Sequence, residues 1–161
     1  MKLRFVIASD YDTILAQINE WWGGRQMSDM LPMLFFEHFN NTSFIAEKDG
    51  EVTGFLIGFL SQSNPDEAYI HFVGVHPKYR KQKIGKVLYE EFFKISRQNG
   101  RSIIRCVTSP VNKDSINFHM KMGFSIEKGN KMTDSISVFQ DYDGPNQDRV
   151  VFKKKLDRST L

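Results

Sequence analysis

The segment VHPKYRKQKIGKVL, residues 75–88, constrains the fold of this chain more than any other stretch. It follows a run of β-forming residues, carries several positive charges and opens an amphipathic helix around Gly85. A helix start presents backbone N–H groups without internal partners, and the aligned peptide dipoles make that end partially positive. A strand, a basic turn and a helix in this order favour an anion site suited to phosphate groups. A solvated basic helix start is the alternative interpretation.

Composition limits the protein classes that remain. The chain has 161 residues, of which 40% are hydrophobic, so we expect one domain spanning 1–161 with a substantial core. The 22 basic and 19 acidic residues are well mixed along the chain, so the composition does not indicate binding to nucleic acid or to a membrane surface. The lone Cys106 cannot form an internal disulfide and is expected to be a buried strand residue. The N-terminal apolar run is too short for a signal peptide and no span approaches membrane length, which predicts a cytoplasmic protein.

Residue patterns along the chain predict an α/β fold of the α+β kind. We expect a first strand, a helix after Asp10, a second helix from Ser28 to His38, and a β-hairpin turning at Asp49-Gly50. A strand, the helix that follows the basic turn, another strand, a short helix and three late strands complete the order. This order indicates a mixed sheet covered by helices.

A second segment, NKDSINFHMKMGF, lies about thirty residues after the basic turn. Together with the earlier block FVGVHPKYRKQKIGKVL, this segment resembles the GNAT superfamily of N-acetyltransferases, which use acetyl-CoA. The residues that carry the resemblance here are Asn112, Ser115, Phe118, Lys121 and the pair Gly123-Phe124. The resemblance covers most of the chain. It implies a GNAT-like, mostly antiparallel central sheet of six to seven strands flanked by about four helices.

The resemblance also implies where acetyl-CoA binds. The strand end Val73-Gly74-Val75 matches the family's bulged strand, whose backbone pairs with the pantetheine arm and whose N–H polarises the thioester carbonyl. The basic turn matches the diphosphate loop, and two residues of the later helix match positions that touch the cofactor's arm. The implied cofactor-binding residues are Val73, Gly74, Val75, Arg80, Lys81, Gln82, Lys83, Ile84, Gly85, Lys86, Asn112 and Ser115. No metal is expected.

The chain departs from the family pattern at two positions. Lys83 replaces the first glycine of the diphosphate loop; it keeps the backbone N–H but pays roughly 1–2 kcal/mol if that position requires a positive φ. His119 stands directly after Phe118, where the family usually has a tyrosine acid, and becomes the candidate for protonating the leaving thiolate or hydrogen-bonding its sulfur. An imidazole is a good acid only when protonated.

A general base is also needed, because an amine near its ordinary pKa of about 10.4 is protonated at neutral pH. On the strand AYIHFVGV, Tyr69, His71, Val73 and Val75 share one face unless a bulge intervenes. His71 is the candidate base, and the run HFVGVHP is similar to the arylalkylamine N-acetyltransferases, which place a working histidine there. Glu67 is the second candidate. A histidine satisfied inside the sheet is the alternative for His71.

The acceptor is expected to be a primary amine on a small molecule or peptide. By the resemblance, the first helices and the late strands shape its pocket. Trp21 or Trp22 could form an aromatic wall, while Asp29 or Asp141 could attract a positive charge. The alternative is that one tryptophan is core and the loop acids are solvated.

Three functions follow, and the N-acetyltransferase is favoured. A catalytically silent acyl-CoA-binding module is the second, motivated by Lys83 and the missing tyrosine. A nucleic-acid-binding domain using the basic turn and the lysines at 153–155 is the third, although the balanced charge argues against it. The sequence does not specify the oligomeric state; family members often pair as homodimers.

Overall fold

The computed structural model describes residues 1–157, which contain nine strands and five α-helices. In chain order they are β1 (Lys2–Phe5), α1 (Asp10–Leu15), α2 (Ile18–Trp21), α3 (Leu34–His38), β2 (Phe44–Lys48), β3 (Glu51–Leu60), β4 (Glu67–Val75), α4 (Ile84–Gln98), β5 (Ile103–Thr108), α5 (Lys113–Lys121), β6 (Ser125–Ile126), β7 (Lys131–Thr133), β8 (Ile136–Val138) and β9 (Val150–Lys155). Among these residues no helix is both long and apolar enough to cross a membrane.

Seven strands form one sheet in the order β1-β2-β3-β4-β5-β9-β6, and β7 pairs with β8 in a separate hairpin. Every pair in the large sheet is antiparallel except β4 with β5, which is parallel. The predicted mixed, mostly antiparallel sheet is therefore confirmed, with five α-helices where about four were expected.

The β2–β3 hairpin turns where the sequence predicted. Asp49 and Gly50 both adopt positive φ, 52° and 77°, and the flanking residues Lys48 and Glu51 are paired. Two central residues of this kind give the turn whose twist matches that of the flanking strands. The Asp-Gly dipeptide thus fixes the register of the central strands.

Two apolar cores cover the two faces of the sheet. On the α4 face, Ile84, Leu88 and Phe92 pack with strand residues such as Leu56 and Ile70. On the α1 face, the cluster joins the first helices to strands β2, β3 and β4; its fully buried large side chains are Ile14, Ile18, Leu31, Phe36, Ile45, Phe55 and Ile57. The sheet is therefore covered on both sides.

The expected second helix from Ser28 to His38 was wrong. Ser28–Met30 forms a single 3-10 turn, and the α-helix begins only at Leu34. Pro32 lacks an N–H and disfavours helical geometry in the residue before it, and Leu31 accordingly sits at φ −127° and ψ 66°. The result is a strap, residues 25–33, that crosses the α1 face.

The late strands are shorter than expected. The segment FSIEK contributes only Ser125–Ile126 to the sheet, and ISVFQD contributes Ile136–Val138 to the separate hairpin. Of the three late segments, only Val150–Lys155 forms a longer strand of the sheet. It lies between β5 and β6 and forms hydrogen bonds along both edges. The chain between β8 and β9 forms a turn-rich loop, residues 139–149.

Strand β4 contains a bulge at His71. Ile57 pairs with Phe72, whereas the next residue, Gly58, pairs with Ile70, so His71 is the extra residue. A bulge reverses the alternation of side chains beyond it. The shared face expected for Tyr69, His71, Val73 and Val75 in the absence of a bulge therefore ends at His71, and the bulge of this strand lies just before the segment 73–75.

Candidate active site

A gap opens between β4 and β5 at the centre of the sheet. The two strands pair through only three residues each, Glu67–Tyr69 with Ile103–Arg105, and β5 then continues beside β9 alone. From Ile70 onward, β4 has strand β3 on one side and no strand on the other. Backbone N–H and C=O groups on that side are available to an extended ligand.

The residues Val73 and Val75 turn their backbone groups toward this gap. The His76 N–H donates to the Thr53 carbonyl at 2.9 Å, which fixes the alternation of groups along the strand. Gly74 therefore bonds toward β3, and its two neighbours face outward. The Arg80 guanidinium reaching the Val75 carbonyl at 3.4 Å agrees with this orientation.

The basic turn presents a row of backbone N–H groups at the start of α4. Within residues 1–157, the N–H groups of residues 81–86 donate to no protein acceptor, and the first bond of the helix runs from Val87 to Lys83 at 3.1 Å. Lys81 and Lys83 both adopt the left-handed conformation, with φ of 66° and 64°. Such a turn directs successive N–H groups to one point, as an anion-binding nest does. The position that the family pattern gives to glycine does require a positive φ.

Arg80 occupies a bracing position. Its guanidinium donates to the Trp21 carbonyl at 2.6 Å in addition to the contact with Val75. The guanidinium of Arg80 thus links the basic turn to α2. A contact between Arg80 and a diphosphate, as the sequence predicts, would have to compete with this hydrogen bond to Trp21. The neighbouring side chains of Lys81, Gln82, Lys83 and Lys86 are exposed at the mouth of the turn.

Helix α5 starts beside helix α4. A methyl group added at Gly85 would lie 3.6 Å from the Phe118 ring and 3.9 Å from Val75, so these three residues are packed neighbours. Asn112 caps α5 by accepting from the Ser115 N–H at 3.2 Å. The structure thus brings both sequence motifs to one end of the gap, while the cofactor contacts of Asn112 and Ser115 stay predictions.

His119 lies inside the core and not at the gap. Its side chain stacks on Phe152 with ring centroids 4.5 Å apart, and the residue is only 6% exposed. The Nδ1–H donates to the Ser115 carbonyl at 2.7 Å, which leaves Nε2 to accept from the Tyr89 hydroxyl at 2.8 Å. Burial lowers the pKa of His119, and the bond to Ser115 opposes it. With both nitrogens occupied, this imidazole lacks the exposed proton that the predicted acid needs.

His71 stands at the bulge on the α1 face. Its ring is parallel to that of Phe35, with centroids 4.3 Å apart, and Nε2 lies 2.6 Å from the Met30 carbonyl of the strap. Because a carbonyl only accepts, Nε2 carries the proton and Nδ1 keeps a lone pair. Burial lowers the pKa of His71, while the Met30 bond and the charge of Asp143 act in the opposite direction. The imidazole is therefore neutral at pH 7 and can accept a proton at Nδ1.

Glu67 is held in an ion-pair cluster. Arg105 donates from Nε to Glu67 at 2.9 Å and from Nη1 to Glu127 at 3.0 Å. The carboxylate is therefore committed to a structural ion pair between β4 and β5. Between the two predicted bases, the geometry favours His71.

The predicted acceptor residues do not gather in one place. Trp21 is 4% exposed and packs against Phe55 and His76, so it is core. Trp22 is half-buried over Phe72. Asp29 is exposed on the strap, and the Asp141 carboxylate accepts from the Asn146 N–H inside its own loop.

A cavity of about 460 Å³ lies on the α1 face beside the start of the gap, and it was missed from the sequence. Its lining consists of Phe59, Ser61, Asn64, Glu67, Tyr69, Arg105, Tyr142 and Val151. These residues come from the four adjacent strands β3, β4, β5 and β9, the β3–β4 loop and the 139–149 loop. Glu67 and Tyr69 are two residues apart in β4 and so share a face, and this was the one signal for the cavity in the sequence. No pattern in the 139–149 loop indicated that it completes the cavity.

Comparisons with known proteins agree with this arrangement. The profile of the acetyltransferase (GNAT) family matches residues 10–124. An L-2,4-diaminobutyric acid acetyltransferase from Nocardia farcinica is 31% identical over 84 residues, which cover 52% of this chain and 44% of the relative. The corresponding enzyme of Virgibacillus pantothenticus is 28% identical over 83 residues, covering 52% of each protein. The chain thus spans about half the length of these curated relatives.

Solved structures share the fold. Ard1 from Thermoplasma volcanium superposes with a TM-score of 0.79 at 18% identity, covering 98% of both chains. YncA of Salmonella typhimurium, a putative acetyltransferase solved with acetyl-CoA, gives 0.70 at 18% identity and covers 99% of this chain and 96% of its own. Because the family profile spans most of the chain and the fold agrees with it, this protein is a member of the acetyltransferase (GNAT) family.

Proposed function

We propose that this chain is a single-domain N-acetyltransferase that moves an acetyl group from acetyl-CoA to a primary amine of a small molecule by direct attack. The observation that carries the proposal is the placement of His71, a neutral imidazole fixed at the point where β4 and β5 separate. The diaminobutyric acid acetyltransferases among the relatives support a small-molecule amine as the acceptor. A peptide amine remains the rival acceptor, since Naa20 of Chaetomium thermophilum, solved with a bisubstrate analogue, shares the fold with a TM-score of 0.77.

The residues present fit acetyl-CoA. The N–H groups of residues 81–86 and the exposed lysines of the basic turn suit a diphosphate. The outward backbone groups of Val73 and Val75 suit an amide-containing arm lying in the gap. Acetyl-CoA, when bound, supplies an activated thioester carbonyl. The outward N–H of Val73 is then a fixed donor for an oxygen that gains negative charge.

His71 would prepare the attacking amine. The Met30 carbonyl holds the imidazole in one tautomer, so Nδ1 is the proton acceptor. The lowered pKa of His71 keeps this nitrogen unprotonated at neutral pH, at the cost of a weaker base. His119 has no direct role in this scheme. It joins helix α5 to α4 through its bond to the Tyr89 hydroxyl, while its bond to the Ser115 carbonyl lies within α5.

The proposal is tested by two measurements on the purified chain. Calorimetric titration with acetyl-CoA reports binding, and a thiol reagent reports free CoA released in the presence of a panel of amines, including peptides. We expect saturable binding and thiol release that depends on a small-molecule amine. Binding without release by any amine would identify a silent acyl-CoA-binding module, and absence of both would overturn the proposal.

A further inference from the structure

We propose that Asn19 is a positioning residue for the general base, because its side-chain amide holds the strap that presents the Met30 carbonyl to His71. The inference rests on the proposed function, in which His71 takes a proton from the acceptor amine. Asn19 acts on the imidazole through the backbone of the strap, by a series of hydrogen bonds that starts at its amide oxygen.

Asn19 gathers the backbone that leads into the strap. Its carbonyl accepts from the Gly24 N–H at 2.8 Å, and its side-chain Oδ1 accepts from the N–H groups of Met27 at 2.7 Å and Ser28 at 3.1 Å. The Nδ2 group donates to Oε1 of Gln26 at 3.3 Å, which agrees with this orientation of the amide. One side chain therefore satisfies two consecutive N–H groups of the strap.

The helix that carries Asn19 is itself firmly anchored. Ile18 and Trp21 of α2 are buried in the core of the α1 face, at 0% and 4% exposure. The Trp21 carbonyl also accepts the hydrogen bond from Arg80. The amide oxygen of Asn19 thus projects from a helix that is fixed on the side of the core and on the side of the basic turn.

Hydrogen bonds lead from Asn19 to His71 without a break. The Ser28 N–H donates to Asn19, and the Ser28 carbonyl accepts from the Leu31 N–H at 3.1 Å. The Leu31 N–H and the Met30 carbonyl belong to one planar trans peptide unit, so they point in opposite directions. The Met30 carbonyl lies 2.6 Å from Nε2 of His71. Fixing Ser28 therefore fixes the direction of the carbonyl that orients the imidazole.

The position of the strap depends on these hydrogen bonds more than on apolar packing. Residues 22–30, which link the buried Trp21 to the buried Leu31, are all exposed or half-buried. Segments with few buried apolar contacts open at a low cost in free energy. Without the Asn19 amide, the Met27 and Ser28 N–H groups would bond to water, and the turn that carries Met30 would lose its support.

The experiment follows the Nε2 proton of His71 by ¹H–¹⁵N NMR of the free protein at neutral pH, with His71→Gln to assign the signal. A ring N–H that donates to a carbonyl is protected from exchange with water, so the wild type should show this signal. Asn19→Ala should lose it, because the carbonyl is no longer held in place. The same variant should lose kcat by roughly two- to tenfold, the worth of one neutral hydrogen bond.

Three further variants make the test specific. Asn19→Asp keeps an acceptor oxygen in the same place and should restore both the signal and kcat. Gln17→Ala is the matched control, because the Gln17 side chain donates to the Thr13 carbonyl of α1 at 3.2 Å and should behave as wild type. Asn19→Gln moves the amide by one methylene group; it should act like Asn19→Ala and replaces it if the alanine variant does not fold.

The outcomes distinguish this inference from the proposed function. A structural role alone would lower the thermal stability of Asn19→Ala and leave the signal and kcat of the folded protein unchanged, which would overturn the inference. Absence of the signal in the wild type, or its loss in Asn19→Asp, would also overturn it and leave the acetyltransferase standing. If the wild type acetylates no amine, the proposed function and the inference both fall.

Discussion

The two sides of the gap are built in different ways. The side that faces α4 comes from one nearly continuous run, residues 73–86, joined by the start of α5, and it offers mainly backbone N–H groups. The side that faces α1 is assembled from the strap, strands β3, β4, β5 and β9, and the 139–149 loop, and it offers side chains. Backbone groups survive most substitutions, whereas side-chain groups do not. Substitutions should therefore affect the two sides unequally.

His71→Gln should produce the largest effect. Removing a general base costs roughly 10²- to 10⁴-fold in rate, and the loss should fall on kcat. Acetyl-CoA binding should be unchanged, because the cofactor side does not use the imidazole. Steady-state kinetics and calorimetric titration measure the two quantities.

His38→Gln is the matched control, since His38 is exposed on α3 and should leave kcat unchanged. A His71 variant with kcat within a fewfold of wild type would contradict the assignment of His71 as the general base.

Two glycine substitutions compare the packing of the two sides. An added methyl at Gly74 would lie 2.6 Å from the Phe55 ring and 2.8 Å from Trp22, so Gly74→Ala should cost about 1–3 kcal/mol. At Gly85 the nearest atom is 3.6 Å away, an ordinary contact, so Gly85→Ala should be neutral or slightly stabilising. Chemical denaturation of both variants measures the difference. Equal effects would mean that Trp22 and Phe55 repack without cost.

The stability of the fold should fall in mild acid. His71 and His119 have lowered pKa values because of burial, so below about pH 6.5 the unfolded chain binds protons more readily. The contribution of these two histidines to the free energy of unfolding is therefore complete above that pH and decreases below it. Carboxylates with lowered pKa values, such as Asp10, lose their contribution only at lower pH, below the ordinary 3.8.

Thermal unfolding between pH 7.5 and 5.5 checks this dependence. The midpoint should decrease across the window in the wild type and decrease less in His119→Gln, which removes one of the two groups. A midpoint that stays constant in the wild type would contradict the buried, neutral state of both rings.

Lys83→Gly should give the smallest effect. Relief of the positive φ is worth roughly 1–2 kcal/mol and is partly offset by the flexibility of glycine in the unfolded chain, so we expect a gain of at most about 1 kcal/mol. Lys86→Gly is the matched control, because Lys86 is helical and glycine there should lower stability. Denaturant midpoints that move in the same direction for both variants would contradict the strained turn.

The predictability of the two sides follows from how each is built. The turn, its helix and the hairpin at Asp49-Gly50 depend on neighbours in sequence, and local patterns indicated them. The burial of His119 depends on Phe152 and Tyr89, which are distant in sequence. The same is true of the cavity, whose lining meets only when β3, β4, β5 and β9 align. The bulge at His71 left no local signal, because alternation alone does not reveal an extra residue.

That bulge places the imidazole on a residue outside the regular pairing of the strand. His71 provides the imidazole, and it is also the additional residue of β4. A substitution at His71 removes only the imidazole. A deletion at the same position would make Ile70 and Phe72 neighbours, which restores continuous pairing with Gly58 and Ile57 and leaves Phe72, Val73, Gly74 and Val75 on their present faces. In terms of tolerance to insertion and deletion, the strand can therefore lose this residue without changing its pairing partners, and the loss would fall on the imidazole alone.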